Sequence, residues 1–294
     1  MDRRSWTLVF VIGAIWGASF LFIEIGIRDM SSSVVAWARV ALGAAVLVPI
    51  ALIRGELRVE GASVRLIVLL SAFQVAIPFV LIAEGQQDIT SSLAGILVAS
   101  TPLFTAILAV RVDPSERSEG VQLWGILAGL VGVGLLLGVD LSGTVDEAIG
   151  GALVLLASVG YATGGLITKL KLPGAPGTGV AAWICVSATV LLTPFAIVNA
   201  PTEAPGLGPL AAVVALGVIG TGLAFALFFG LMTTIGPART FIVTYLSPAF
   251  AIVYGAVLLD EAISVATIAG LALILGGSYL AASHTSSRSE SATL

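Results

Sequence analysis

Long apolar runs alternate with short polar separators along the whole chain, and ten such runs can be read: 6–27, 33–53, 64–84, 90–110, 120–138, 149–168, 179–198, 208–230, 237–259 and 264–283. Each approaches the roughly 20 residues that a helix needs to cross a hydrocarbon core of about 30 Å. The separators, among them "RDMSS", "RGELRVEG", "GQQD", "KLKLPGAPG" and "DEAIS", carry charge, Gly, Pro or hydroxyl groups. Inside the runs the apolar residues are continuous, which favours spanning helices over the alternating strands of a barrel. The pattern predicts an all-α polytopic membrane protein with ten transmembrane helices. The first run is longer than a signal-peptide core and no small-residue cleavage site follows it, so it is expected to remain as helix 1. Residues 284–294, "HTSSRSESATL", lack apolar content and are expected to form a disordered cytoplasmic tail.

Composition sharpens this. Only 10% of the residues are charged and mean hydropathy is +1.10, whereas a soluble domain carries roughly 25% charged residues. The single Cys, Cys185, excludes an internal disulfide, and the single His, His284, lies in the tail. Histidine metal sites, Ser–His triads and His proton relays are therefore excluded from the membrane part. No phosphate-binding Gly-rich loop for ATP is present. Neither metal nor cofactor is expected, nor a nucleic-acid partner; the partners are the lipid bilayer and a small-molecule solute.

Positive charge fixes a topology. If the N-terminus is cytoplasmic, Arg3, Arg4, Arg54, Arg58, Arg65, Arg111, Arg117, Lys169, Lys171, Arg239 and Arg288 all fall on the cytoplasmic side. Only Arg28 is external, and Arg39 lies within helix 2. Such asymmetry is the positive-inside signal. It predicts both termini in the cytoplasm of a multi-pass protein of the cell (inner) membrane.

The chain also echoes itself. "STPLF" around Pro102 and "LSPAF" around Pro248 stand 146 residues apart; at that offset Ala36-Trp37 aligns with Ala182-Trp183 and Phe79 with Phe225. At an offset of 145, Gly125 and Gly132 match Gly270 and Gly277, and Trp16 falls opposite Tyr161. A duplication divides the chain into 6–138 and 149–283, five helices each. Five is odd, so the second unit enters the membrane from the opposite side: a 5+5 inverted repeat, the usual scaffold of alternating access around a central cavity. Glycine-rich "GILAGLVGVG" in helix 5 and "GLALILGG" in helix 10 suit close helix contacts, either joining the halves or forming a homodimer face. Internal packing is the preferred reading, with a monomer expected and a homodimer as the alternative.

These phrases, with "AIWGASFLFIEIGI" in helix 1, "AWARVALGAAVLVP" in helix 2 and "LSPAFAIVYGAVLLDEAISVATIAGLALILGG" at the end, resemble the drug/metabolite transporter superfamily and its EamA modules over roughly residues 6–283. The resemblance implies a secondary transporter of small metabolites, amino acids among them as in the YddG-like exporters and cationic compounds as well, with helices 1, 3, 4, 6, 8 and 9 around the cavity and helices 2, 5, 7 and 10 more peripheral.

On those helices the candidate solute-binding residues are Trp16, Ser19, Phe20, Glu24, Gln74, Phe79, Thr101, Tyr161, Thr163, Phe225, Tyr245 and Ser247. Aromatic walls with a few hydrogen-bonding groups suit amphipathic ligands; each of these residues also has a plain packing role open to it. Pro78, Pro102 and Pro248 free backbone carbonyls and are candidate bends or hinges. Three ionisable groups within or near helix ends, Glu24, Arg39 and Glu84, are costly in a bilayer and form a candidate ion pair or gate. Glu24 and Arg39, on consecutive antiparallel helices, can pair; the other readings are an Arg39 side chain snorkelling outward and fixing helix 2 against helices 1 and 3, a functional Arg39, and Glu24 as an amine or proton site. Glu84 and Asp88 are read as the polar external mouth. No deep Lys or Arg occurs in the second half, which disfavours a phosphate-sugar exchanger. The competing functions are an intramembrane enzyme acting on lipid phosphate, for which no acid–base cluster is visible, and a non-transporting scaffold or receptor.

Overall fold

The computed structural model describes residues 1–112, 121–139 and 144–282. Ten helical spans follow one another: α1 (Arg3–Gly26), α2 (Ser32–Ile53), α3 (Val64–Gly85), α4 (Ser91–Val98 and Thr101–Val112), α5 (Val121–Val139), α6 (Val145–Lys171), α7 (Gly177–Val198), α8 (Leu207–Ile235), α9 (Ile242–Leu258) and α10 (Val265–Ala282). Seven of them are long and apolar enough to cross a membrane, and α5, α9 and α10 are shorter apolar helices. No strand occurs among the described residues. The tail 284–294 and the separator around Arg117 lie outside the described residues.

The polar separators start the helices. Asp2, Ser31, Ser63 and Thr90 each accept the N–H three residues on, Ser5, Val34, Leu66 and Leu93 in turn, satisfying a donor that an apolar cap would leave orphaned in lipid. The same Ser5 contact holds the exposed Asp2 carboxyl below its ordinary value. Thr144 and Glu147 form a reciprocal capping box. That box extends α6 back to Val145, four residues before the apolar run begins. Between α8 and α9, Gly236 takes φ +82, ending α8 and feeding a one-turn helix, Pro237–Thr240, ahead of α9.

Among the described residues two spans contain π-helical segments, Ala72–Ala76 in α3 and Leu216–Leu223 in α8. Pro78 follows the first by two residues, and its missing N–H leaves the Gln74 carbonyl without its usual helical donor. In α4 the helix is interrupted at Ala99–Ser100, just before Pro102. There the Thr101 hydroxyl donates to the Val98 carbonyl at 2.7 Å, the carbonyl that Pro102 deprives of its bond. Pro248, in the echoed phrase, sits inside an uninterrupted α9. There α1 lies tight along α9, so close that a methyl on Gly17 would meet the Ser247 carbonyl at 2.7 Å.

Helix packing is not sequential. α1 lies on α9 and α8, α2 on α7 and α8, α3 on α6 and α7, α4 on α9 and α6, and α5 on α10. Glycines set the closest contacts. A Cβ on Gly125 would fall 2.8 Å from the Gly277 carbonyl, and one on Gly132 would fall 3.0 Å from the Gly270 carbonyl. The largest core cluster, including Ile23, Ile96, Leu97, Leu136, Leu216 and Ile274, joins α1, α4, α5, α8 and α10. The outer surface is apolar, with Trp124, Val190, Phe195 and Val257 exposed, as a hydrocarbon solvent requires.

Candidate functional site

Among the described residues Arg39 is the one buried Asp, Glu, Lys or Arg side chain. It stands seven residues into α2, about 10 Å from the helix start at 1.5 Å per residue, and it is only 7% exposed. Gly217 and Gly222 of the α8 π-segment admit α2 at close range; Cβ atoms there would meet Leu42 and Val46 at 2.5 Å. This approach lets the Arg39 Nε–H donate to Thr221 Oγ1 at 2.9 Å. Thr221 donates in turn to the Leu216 carbonyl, five residues back, which the widened π-turn exposes. The guanidinium carbon lies 3.7 Å from the centre of the Phe79 ring on α3, a cation–π contact. Phe79 meets Tyr161 of α6 edge-on at 6.4 Å. The titratable side chains near enough to Arg39 to interact electrostatically are Tyr161 and Cys185; neither supplies a carboxylate.

The candidate Glu24–Arg39 pair is therefore not formed. α1 and α2 diverge: α1 follows α8 and α9, while α2 follows α7 and α8. Their side chains are carried to different parts of the bundle. Glu24 instead lies near Arg28 and Glu261, and Glu84 accepts from Gln87 at 3.1 Å.

Glu24 lines a cavity of about 280 Å³ at the end of the bundle opposite the N-terminus, with Arg28, Gln86, Gln87, Asp88, Thr90 and Glu261 among its other walls. Of the residues read as solute-binding, Glu24 alone reaches it. A neighbouring cavity of about 180 Å³ also includes Asp88.

A feature that the sequence reading missed adjoins this mouth. Glu261, in the separator after α9, accepts from the Ser91 N–H at 2.9 Å, the Ser91 hydroxyl at 2.8 Å and the Ser92 N–H at 3.0 Å, and from the Ser92 hydroxyl as well. It clamps the α9–α10 turn onto the N-terminus of α4, where unpaired N–H groups and the helix dipole favour an anion. Asp260, in the left-handed region at φ 55, turns the chain so that Glu261 faces α4. Gly255 leaves the space: a Cβ there would collide with the Glu261 carboxylate and the Ser92 hydroxyl. The paired hydroxyls of "TSS" opening α4 were the available signal.

The remaining candidates fall in separate groups. Trp16 packs on Phe225 at 6.0 Å and on Phe228 at 5.0 Å, an aromatic cluster between α1 and α8. Gln74, in the α3 π-segment, donates to Thr168 of α6 at 2.5 Å; Gly160 and Gly164 permit that approach. Ser19, Thr101 and Thr163 donate to carbonyls of their own helices. Phe20 is buried and its carbonyl accepts from Gln86 Nε2. Tyr245 is half-buried and Ser247 buried, both on α9.

A family model described as EamA-like transporter family matches the chain twice, over residues 4–138 and 148–283. The chain belongs to the EamA-like transporter family. Curated relatives in this family's company span nearly the same length. One, 22% identical over 90% of this chain and 92% of its own, is the uncharacterized transporter YoaV of Bacillus subtilis. Another, the uncharacterized inner membrane transporter YedA of Escherichia coli, is 26% identical over 87% of this chain and 83% of its own. A third, a probable amino-acid metabolite efflux pump of Salmonella typhimurium, is 25% identical over 95% of both chains. A solved crystal structure superimposes with a TM-score of 0.68 at 20% identity, covering 98% of this chain and 100% of that one. At that identity the likeness concerns the fold.

Proposed function

We propose that this EamA-family protein is a secondary transporter that exports small organic metabolites, amino acids or related amphipathic solutes, across the inner membrane by alternating access. It works as a monomer with both termini in the cytoplasm, and its halves, 6–138 and 149–283, form an inverted pair. The observation that carries this is the crosswise contact of matched glycines. Gly125 corresponds to Gly270 and Gly132 to Gly277 in the sequence echo, yet Gly125 meets Gly277 and Gly132 meets Gly270. Contacts that exchange partners in this way support a two-fold relation within one chain.

The wider packing supports the same relation. Exchanging α1–α5 for α6–α10 turns the α1·α9 contact into α6·α4, α2·α8 into α7·α3 and α3·α6 into α8·α1, while α2·α7, α4·α9 and α5·α10 map onto themselves. The two π-segments also correspond, since 72–76 advanced by 146 falls at 218–222, inside Leu216–Leu223. Two like halves facing opposite ways can trade conformations at little net energetic cost, which converts a cavity open on one face into one open on the other. The glycine faces of α5 and α10 are consumed internally, which favours a monomer. The names of the relatives favour metabolite export.

The test is solute flux in proteoliposomes containing the full chain, with a panel of amino acids, amines and aromatic metabolites, with and without a proton gradient. Saturable flux of at least one class is expected; no flux above protein-free vesicles for any of them refutes the carrier.

A further inference from the structure

We infer that Arg39 is the receptor for the solute's carboxylate, so that the protein selects solutes bearing a single carboxylate over analogues that lack it. This rests on the carrier reading above and adds to it the chemistry of recognition.

A guanidinium buried in a membrane core is costly unless an anion or acceptors compensate it. Arg39 has one hydrogen bond, from Nε to Thr221, and the face of Phe79. Among the described residues its terminal nitrogens find no acceptor, and Tyr161 and Cys185 are its only titratable neighbours in electrostatic reach. At 7% exposure it does not snorkel to the lipid headgroups. The two contacts it does make fix its orientation without using the fork of donors at its tip. Thr221 holds Nε from the α8 side, Phe79 covers one face of the plane, and the tip remains for a planar, bidentate acceptor. A carboxylate has that geometry.

The number of charges selects between anions. Among the described residues no second Lys or Arg interacts with this guanidinium, which alone neutralises a single negative charge; a phosphate dianion needs more cations than that. Phe79, buried, and Tyr161 meet at the same place, so the side chains around the guanidinium are aromatic rather than acidic. Both π-segments lie close by, α8 through Thr221 and α3 two residues after its π-turn through Pro78 to Phe79.

The experiment uses full-length protein in proteoliposomes and pairs of probes differing only in the acid: phenylalanine against phenylalaninamide and phenethylamine, threonine against threoninamide. Inorganic phosphate and O-phosphoserine serve as competitors. The wild type is expected to favour the free acids by roughly tenfold or more in kcat/KM, as a charge-assisted bidentate contact implies. Arg39→Gln removes that preference, and Arg39→Lys restores part of it as a point charge. Equal handling of acids and amides by the wild type overturns the inference, and that comparison needs no variant to fold. An acid preference that survives in folded Arg39→Gln also overturns it. Competition by inorganic phosphate at concentrations where the free acids are silent assigns the site to phosphate instead. Absence of flux for every probe defeats the carrier reading itself, a different result from flux without acid selectivity.

Discussion

Replacing Glu261 tests whether the clamp it makes holds one face of the bundle shut. Its carboxylate accepts two backbone N–H groups and two hydroxyls from Ser91 and Ser92. A hydrogen bond to a charged acceptor contributes about 1.5–3 kcal/mol, and an anion at a helix N-terminus adds about 0.3–1 kcal/mol. Glu261 is half-buried, so solvent takes back part of this, and water can satisfy the freed serines. About 3 kcal/mol is a reasonable net loss for Glu261→Ala, a shift of roughly a hundredfold in an equilibrium between clamped and released forms. Glu261→Gln should lose a similar amount, because its amide NH₂ would face donors. The assay is labelling of Ala94→Cys by a membrane-impermeant maleimide, in a Cys185→Ala background. Ala94 is fully buried one turn below the clamp, so labelling should be negligible with Glu261 present and rise at least tenfold without it. Gly255→Ala, which would drive a methyl into the clamp, should behave likewise. Unchanged labelling together with an unchanged melting temperature in Glu261→Ala would refute the reasoning.

Other expectations follow from the same structure. Gly125→Ala and Gly132→Ala should each lower stability by about 1–3 kcal/mol through overpacking, whereas Gly134→Ala, whose Cβ would meet nothing within 4 Å, should be neutral or gain up to about 1 kcal/mol in helix propensity; thermal unfolding in detergent ranks them. Trp16→Ala and Tyr245→Ala should reduce solute flux while folded protein is retained, and unchanged flux in both removes them from the pathway. Glu24→Gln should alter solute choice or the pH dependence of flux; a drop in melting temperature alone would make it structural. Reporter fusions after residue 148 and at the C-terminus should report opposite sides of the membrane, and finding both on one side would break the count of ten.

The fold was legible because hydrocarbon imposes a simple rule: every backbone polar group must be satisfied within its own segment, so long apolar runs are helices. Helix ends were less legible. Val145–Lys171 begins earlier than its apolar run because Thr144 and Glu147 cap it, and α9 begins later because Pro237–Thr240 forms a separate turn. Pro102 and Pro248 occupy the same phrase, but only α4 is interrupted. A proline permits a break without demanding one, and the contact of α9 with α1 is a tertiary matter. Arg39 was found by its charge, but its partner was misread, because sequence adjacency of α1 and α2 does not make them neighbours here. Thr221 sits among Gly217, Gly220 and Gly222, and that cluster marked a close approach without saying which helix approaches. The clamp at Glu261 joins groups 170 positions apart, a distance no local pattern spans.

The central claim is that two inverted halves open the two faces in alternation. Pulsed electron–electron distance measurements test it most directly, with one spin-label pair at Thr90 and Ile263 and another at Arg54 and Arg239, on opposite ends of the bundle. A transported solute or a proton gradient should lengthen one distance as it shortens the other. Both pairs moving in the same sense, or neither moving while flux proceeds, would contradict the account.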